Sequence, residues 1–187
     1  MIDRYSLPAM KKVWSDENKY AKWMDVEIAA CEAWFDDGVI PTEDISKLRL
    51  ATYNHKRMEE IFDETKHDVT AFLRSITESL GEEGRWIHLG LTSSDVMDTA
   101  LSLQLIEASD ILIGRLTDLS SVIKEIAIKY KHTPIMGRTH GIHAEPTTFG
   151  LKMALWWDEV RRQNERLRLA KTNIGVGKIS GAVGTHA

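Results

Sequence analysis

Four histidines stand where a proton could be moved beside an anion. His140 and His143 lie in Met136-Gly137-Arg138-Thr139-His140-Gly141-Ile142-His143-Ala144-Glu145-Pro146-Thr147-Thr148-Phe149-Gly150, which also holds an arginine, a carboxylate and three hydroxyls. His67 sits in Thr65-Lys66-His67-Asp68-Val69, and His88 in Trp86-Ile87-His88-Leu89-Gly90-Leu91-Thr92-Ser93. Imidazole changes charge near neutral pH with little tuning, which suits general acid–base work. Backbone N–H groups at helix starts, and in loops of Thr, Ser and Gly, are ready donors to anions. The residue types therefore suit a substrate that carries phosphate or carboxylates.

Each group also has a simpler role open to it. His67 beside Asp68 could cap a helix, as could Thr92, Ser93 and Ser94. His88 could be a structural histidine. His140 and His143 could bind a metal, but their spacing lacks a third partner in a known pattern, so no zinc site and no cofactor is expected. The clustering is what favours chemistry. Taken alone, these residues describe a helical protein with a histidine-rich polar site.

The elements that must position them read as all-α. Proline is scarce, at 4 residues, and β-branched alternation is nearly absent. Ser15 or Asp16 can cap a helix to about Asp37, stopped by Gly38, with Tyr20, Met24, Ile28, Cys31 and Phe35 on one apolar face. Pro41-Thr42-Glu43-Asp44 starts a second helix with acids in its first turn. A third includes Val69, Phe72, Leu73, Ile76 and Leu80 and ends at Gly81. Gly81 to Asp95 reads as a loop closing in an N-cap and as a domain boundary. From about Ser94 to Lys131 no proline intervenes, and Leu101, Leu105, Ala108, Leu112, Leu116, Leu119, Ile123, Ile126 and Tyr130 form a heptad seam with a stutter near Gly114. Such a helix would be about 55 Å long and must lie in a bundle to bury its seam. The glycines and proline of the Met136–Gly150 stretch exclude a regular helix, so a loop is expected there. Another long helix should begin near Thr147 or Thr148, with Met153, Trp157, Val160, Leu167 and Ile174 on its face and Asn164 interrupting. The domains expected are 1–93, helical, and 94–187, the first part of a long-helix bundle. The glycine-rich run Gly175 to Ala187, with no element after it, suggests an incomplete chain.

Composition bounds the rest. With 43% hydrophobic and 28% charged residues the chain is ordinary for a globular protein. A formal net charge of −4 gives no general electrostatic case for nucleic acid or an anionic membrane. The one cysteine, Cys31, excludes an internal disulfide, fits a reducing compartment and reads as a buried structural thiol. No signal-peptide core opens the chain and no apolar run approaches the roughly 20 residues of a membrane span. A cytoplasmic protein is expected.

Five segments, in order, carry a resemblance: Arg4-Tyr5-Ser6, Thr65 to Val69, His88 to Asp95, Arg138 to Pro146, and Lys178-Ile179-Ser180-Gly181-Ala182-Val183-Gly184-Thr185. Together they resemble the N-terminal portion of the adenylosuccinate lyase family, a branch of the fumarase/aspartase superfamily. The resemblance implies β-elimination of fumarate from adenylosuccinate, giving AMP, and from the succinyl-carboxamide ribotide of purine synthesis, in a homotetramer of long-helix bundles. It implies His140 as general acid, with His67 assisting either His140 or the substrate carboxylates. Arg4 and Tyr5 would contact the nucleotide, and His88 its phosphate. Lys66, His67 and Asp68 would line the site, and Thr92 and Ser93 would donate to substrate oxygens. Relatives commonly carry Arg where Lys66 stands, which keeps the charge but not the bidentate geometry. The family's base is a serine in a Ser-Ser-x-Met-Pro-x-Lys-x-Asn-Pro segment that these 187 residues do not contain, so the chain alone is expected to be inactive. A purely structural helical protein would need none of the four histidines. An eliminating enzyme for another amine would need neither Arg4-Tyr5 nor the Arg138-to-Pro146 segment.

Overall fold

The computed structural model describes residues 2–186. They divide into two compact units. One comprises the chain through Gln104 together with the segment from Val176 onward; the other is Leu105–Gly175. The division falls inside the longest helix.

The first unit is built from a short 3-10 turn at Asp3–Tyr5 and helices α1 (Pro8–Val13), α2 (Asp16–Asp36), α3 (Thr42–Leu48), α4 (His55–Thr65) and α5 (Asp68–Thr77). A second 3-10 turn at Glu82–Trp86 leads to the first turns of α6 (Ser93–Lys129). Local signals explain most boundaries. The Ser15 side chain accepts the Asn18 N–H at 3.2 Å to open α2, and Gly38 follows its end at a φ of +77°. Pro41 precedes α3, whose first turn carries Glu43 and Asp44. Helix α5 stops at Thr77, short of the Leu80 expected, because the chain tightens into turns that bring the Leu80 N–H to the Thr77 carbonyl. Helix α4 was not legible as an element, since only Met58 and Ile61 are buried along it.

Trp23, Val26, Cys31, Ile45, Leu48, Met58, Val69, Phe72, Ile76, Val96 and Ala100 form the core of this unit. Phe72 is its centre: Tyr20 stacks on it at 6.0 Å, and the Trp23 ring meets it edge-on at 5.5 Å. Cys31 is buried as expected. Burial, reinforced by the charges of Glu27 and Glu32, pushes its thiol up to about 11. A protonated thiol at neutral pH fits a packing role.

The second unit pairs the remainder of α6 with α7 (Phe149–Ile174) through strands β1 (Pro134–Thr139) and β2 (Ile142–Thr148). The two helices run antiparallel. Tyr130 meets Phe149 at 5.6 Å, Lys124 lies over Trp157 at 5.8 Å, and Asn164 donates to Thr117 at 3.3 Å. Lys171 pairs with Asp110 at the far end. Thr148 caps α7 by accepting the Leu151 N–H at 3.2 Å, where the sequence places its start. Ala108, Ile113, Ile123 and Met153 are buried between the elements. Leu112, Leu119, Val122 and Ile128 on α6, and Leu151, Leu155, Trp156 and Leu169 on α7, stay exposed within the single chain.

Gly150 sets how closely the two helices meet. A Cβ there would overlap the Lys131 backbone and lie 2.5 Å from the Ala127 carbonyl oxygen. Backbone cannot give way as a flexible side chain would. Gly150→Ala should therefore destabilise this unit by about 1–3 kcal/mol, the usual cost of overpacking. A thermal melt followed by circular dichroism should show a lowered midpoint; an unchanged one would mean that α7 shifts freely.

The expected loop between the long helices is instead an antiparallel hairpin. Met136 pairs with Pro146 and Arg138 with His143, so Ala144 and Glu145 face Gly137 alone in a β-bulge. Gly137 is required there, because a Cβ would collide with the Glu145 carbonyl oxygen. His140 and Gly141 make the turn, with φ of +52° and +77°, as a type I′ hairpin turn needs. Glycine and proline marked the stretch as non-helical, which it is. Their use in a bulge and at a sheet edge was not separable from a loop. The helical fold class stands, with this one two-stranded sheet among the described residues.

Candidate functional site

Arg4 and Tyr5 lie on the first 3-10 turn, exposed, with the guanidinium 4.7 Å from the centre of the tyrosine ring. A stacked Arg–Tyr pair can take a planar base or an anion.

Lys66, His67 and Asp68 form the joint between α4 and α5. Lys66 ends α4 in the left-handed region at a φ of +53°, and its Nζ lies 3.2 Å from Asp63. His67 is the N-cap of α5: its Nδ1 accepts the Thr70 N–H at 3.2 Å. That bond fixes the tautomer, placing the hydrogen of a neutral ring on Nε2. The simpler capping role is thus real, and it leaves Nε2 as a possible donor. Asp68 accepts the Val69 N–H at 2.8 Å. Lys66 and Asp68 also line an open groove of about 680 Å³ with Tyr20, His55, Met58 and Phe62.

His88 is held by three side chains of α2 that grip the segment before α6. Glu27 accepts the His88 N–H at 2.9 Å and lies 2.6 Å from its Nδ1. The Cys31 thiol approaches the Trp86 carbonyl at 3.6 Å, and the Trp34 indole donates to the Leu89 carbonyl at 3.0 Å. His88 sits at a φ of +67°, a conformation uncommon outside glycine. Gly90 follows at +75°, where a Cβ would press on Trp34 at 3.3 Å.

Thr92 and Ser93 open α6. Fully buried Asp95 accepts the Thr92 N–H at 3.0 Å, one half of a capping box. The glycine-rich segment expected to lead nowhere returns to this point. Lys178 Nζ reaches Asp95 at 2.6 Å, Ser94 Oγ at 2.8 Å and the Gly181 carbonyl at 2.8 Å. Thr99 Oγ1 accepts the Lys178 N–H and donates to its carbonyl. Burial opposes the charge on Asp95. Hydrogen bonds from Lys178 and from the Thr92 and Ser180 N–H groups outweigh it and hold the carboxyl down at about 2.

In the other unit, Arg138, Thr139, His140 and His143 are exposed on the hairpin, with His140 at the tip. No group of three or more His, Cys, Asp or Glu among the described residues is placed to hold a metal ion. No helix among them is long and apolar enough to cross a membrane.

Sequence reasoning passed over Glu27, though a signal existed. Trp23, Glu27 and Cys31 recur every four residues, so the carboxylate lies on the apolar face of α2. Asp95 and Lys178 fell within segments already singled out, but their pairing across 83 residues had no local sign.

The helical scaffold, with its histidine hairpin and its capped, anion-ready turns, belongs to the lyase family, whose model matches residues 4–187. Within that family the chain is 56% identical, over 188 residues, to adenylosuccinate lyase of Bacillus subtilis (strain 168), a match that takes in 100% of this chain and 44% of that enzyme. Two solved structures are similar in fold. A fumarate lyase from Mesorhizobium sp. BNC1 has a TM-score of 0.88 at 27% identity, over 95% of this chain and 43% of that one. A 3-carboxy-cis,cis-muconate lactonizing enzyme from Pseudomonas putida has a TM-score of 0.90 at 28% identity, over 100% of this chain and 44% of that one. The chain spans less than half the length of the relatives it matches.

Proposed function

We propose that the polypeptide is the part of an adenylosuccinate lyase that binds the nucleotide and supplies the general acid. The reaction is elimination of fumarate from adenylosuccinate, giving AMP, and from the corresponding succinyl-carboxamide ribotide. The observation that carries this reading is the 56% identity to the Bacillus subtilis enzyme along the whole chain. The site supports it with donors of the right kind.

Elimination of this type removes a proton next to a carboxylate, passes through an anion, and protonates the leaving nitrogen. His140 on the hairpin tip gives that last proton. His67, with Nδ1 occupied by its cap, assists through Nε2. Arg4 and Tyr5 take the nucleotide, and His88 takes its phosphoryl group. Lys66 and Asp68 line the site, and Thr92 and Ser93 at the start of α6 donate to substrate oxygens, which stabilises the developing anion. The base is not among these residues. The 1–93 segment serves as an N-terminal helical domain and 94–187 as the opening of the central bundle. The exposed leucines of α6 and α7 fit burial against further copies in a cytoplasmic homotetramer.

A chimera tests the reading. These 187 residues would replace the matched part of the Bacillus subtilis enzyme, and adenylosuccinate cleavage would be followed by absorbance. Turnover is expected from the chimera and none from the 187-residue chain alone. A folded, assembled chimera without turnover would sink the assignment, and turnover by the chain alone would sink the claim that it lacks the base. AMP should raise the chimera's melting temperature and arginine should not; the reverse would favour a lyase for another amine.

A further inference from the structure

Glu27 is 0% exposed, in a core that includes Trp23, Val26 and Cys31. A buried carboxylate is costly unless its oxygens are occupied. Both oxygens are spent on one residue, 61 positions away: Oε2 on the His88 backbone N–H and Oε1 on Nδ1. Nδ1 therefore faces the core against this carboxyl group, and an Nδ1–H donated to it would set the tautomer of the ring. The His88 ring is 22% exposed, and Nε2 is the nitrogen left for solvent or a ligand. The backbone bond matters as much as the ring bond. At a φ of +67° a histidine is held against a steric cost, and the Glu27 bond is one of the contacts that hold it.

We propose that Glu27 is the positioning residue for His88, fixing both its backbone turn and its ring so that Nε2 is presented in one direction to a phosphoryl oxygen of the bound nucleotide. The ligand half of this rests on the reading above, which gives His88 the phosphoryl group. The positioning half rests on geometry alone. With Nδ1 committed to Glu27, Nε2 is the ring nitrogen turned to the phosphoryl oxygen. Removing Glu27 lets the ring rotate and the turn relax, so binding suffers before chemistry does.

Two measurements test it. Ring-nitrogen NMR on the 187-residue chain should show His88 protonated at Nδ1, and both ring resonances should move in Glu27→Gln. An unprotonated Nδ1 in the parent chain overturns the positioning role without need of any variant, as do ring resonances unmoved by the substitution. In the chimera, Glu27→Gln should raise KM for adenylosuccinate about tenfold, in line with the loss of one hydrogen bond to a charged group. It should change kcat less than His140→Ala does, and should cost nothing further when added to His88→Ala. An unchanged KM, a loss confined to kcat, or full additivity with His88→Ala each overturns it. His88→Ala with an unaltered KM would remove the phosphoryl half and that part of the proposed function together, while the NMR result still decides whether Glu27 holds the ring.

Discussion

Replacing His140 in the chimera should lower kcat for adenylosuccinate cleavage by roughly 10²–10⁴-fold, the range for loss of a positioned general acid. At 1.36 kcal/mol per factor of ten, that is about 3–5 kcal/mol of barrier. The choice of replacement matters because His140 occupies a left-handed position in the hairpin turn, at a φ of +52°. Alanine there loses the imidazole and also strains the turn. Asparagine tolerates that conformation and lacks a group that can donate a proton near neutrality. His140→Asn should therefore show the same loss of kcat as His140→Ala, with a melting temperature nearer the parent's. The exposed side chain makes this clean, since its removal opens no cavity. Retention of parent-like kcat by His140→Asn would discard His140 as the acid and leave His143 or a group outside these residues to serve. A loss in His140→Ala alone would show that the turn, not the proton, was needed.

What could be read from the residues, and what could not, follows the range of the interactions. Ser15, Gly38, Pro41 and Thr148 mark helix boundaries through contacts within four residues, and the structure places the boundaries there. The seam of α6 was legible as a period, but not how its partner would share it. Within the chain Leu112 and Leu119 stay exposed while Ile113 is buried. The hairpin escaped because its strands are short and its turn is His-Gly rather than the stronger Asn-Gly signal. Helix α4 escaped because charged residues dominate it. The candidate site was found by residue type, but its supports were not. Glu27 reaches His88 across 61 residues and Lys178 reaches Asp95 across 83, and no periodicity or motif spacing reports such distances. Both supports are buried or half-buried charges, the groups whose placement only the fold can pay for.

Lys178→Met should destabilise the first unit by about 3–5 kcal/mol, the cost of leaving one member of a buried ion pair alone. Asp95 is fully buried and Lys178 Nζ is its closest donor, at 2.6 Å. Without it the carboxylate keeps, among the described residues, the Thr92 and Ser180 N–H groups. The Ser94 hydroxyl and the Gly181 carbonyl lose their shared donor at the same time, so the returning segment is freed from the start of α6. Urea unfolding should show the midpoint fall. Adding Asp95→Asn should recover part of the loss, because a neutral amide is cheaper to bury than an unpaired charge. Additive costs in the double variant would contradict a buried pair. The acid limb gives a second check. The Asp95 carboxyl lies at about 2 in the folded chain against an ordinary value of 3.8, so the unfolded chain takes up the proton first. The linked stability, about 2 kcal/mol at 1.36 kcal/mol per pH unit, is complete above about pH 4 and is lost as pH falls toward 2. Lys178→Met raises the folded carboxyl toward or past its unfolded value, so over that window its stability should fall less than the parent's, or rise. An equally steep acid limb in both would show that Lys178 does not set the charge on Asp95.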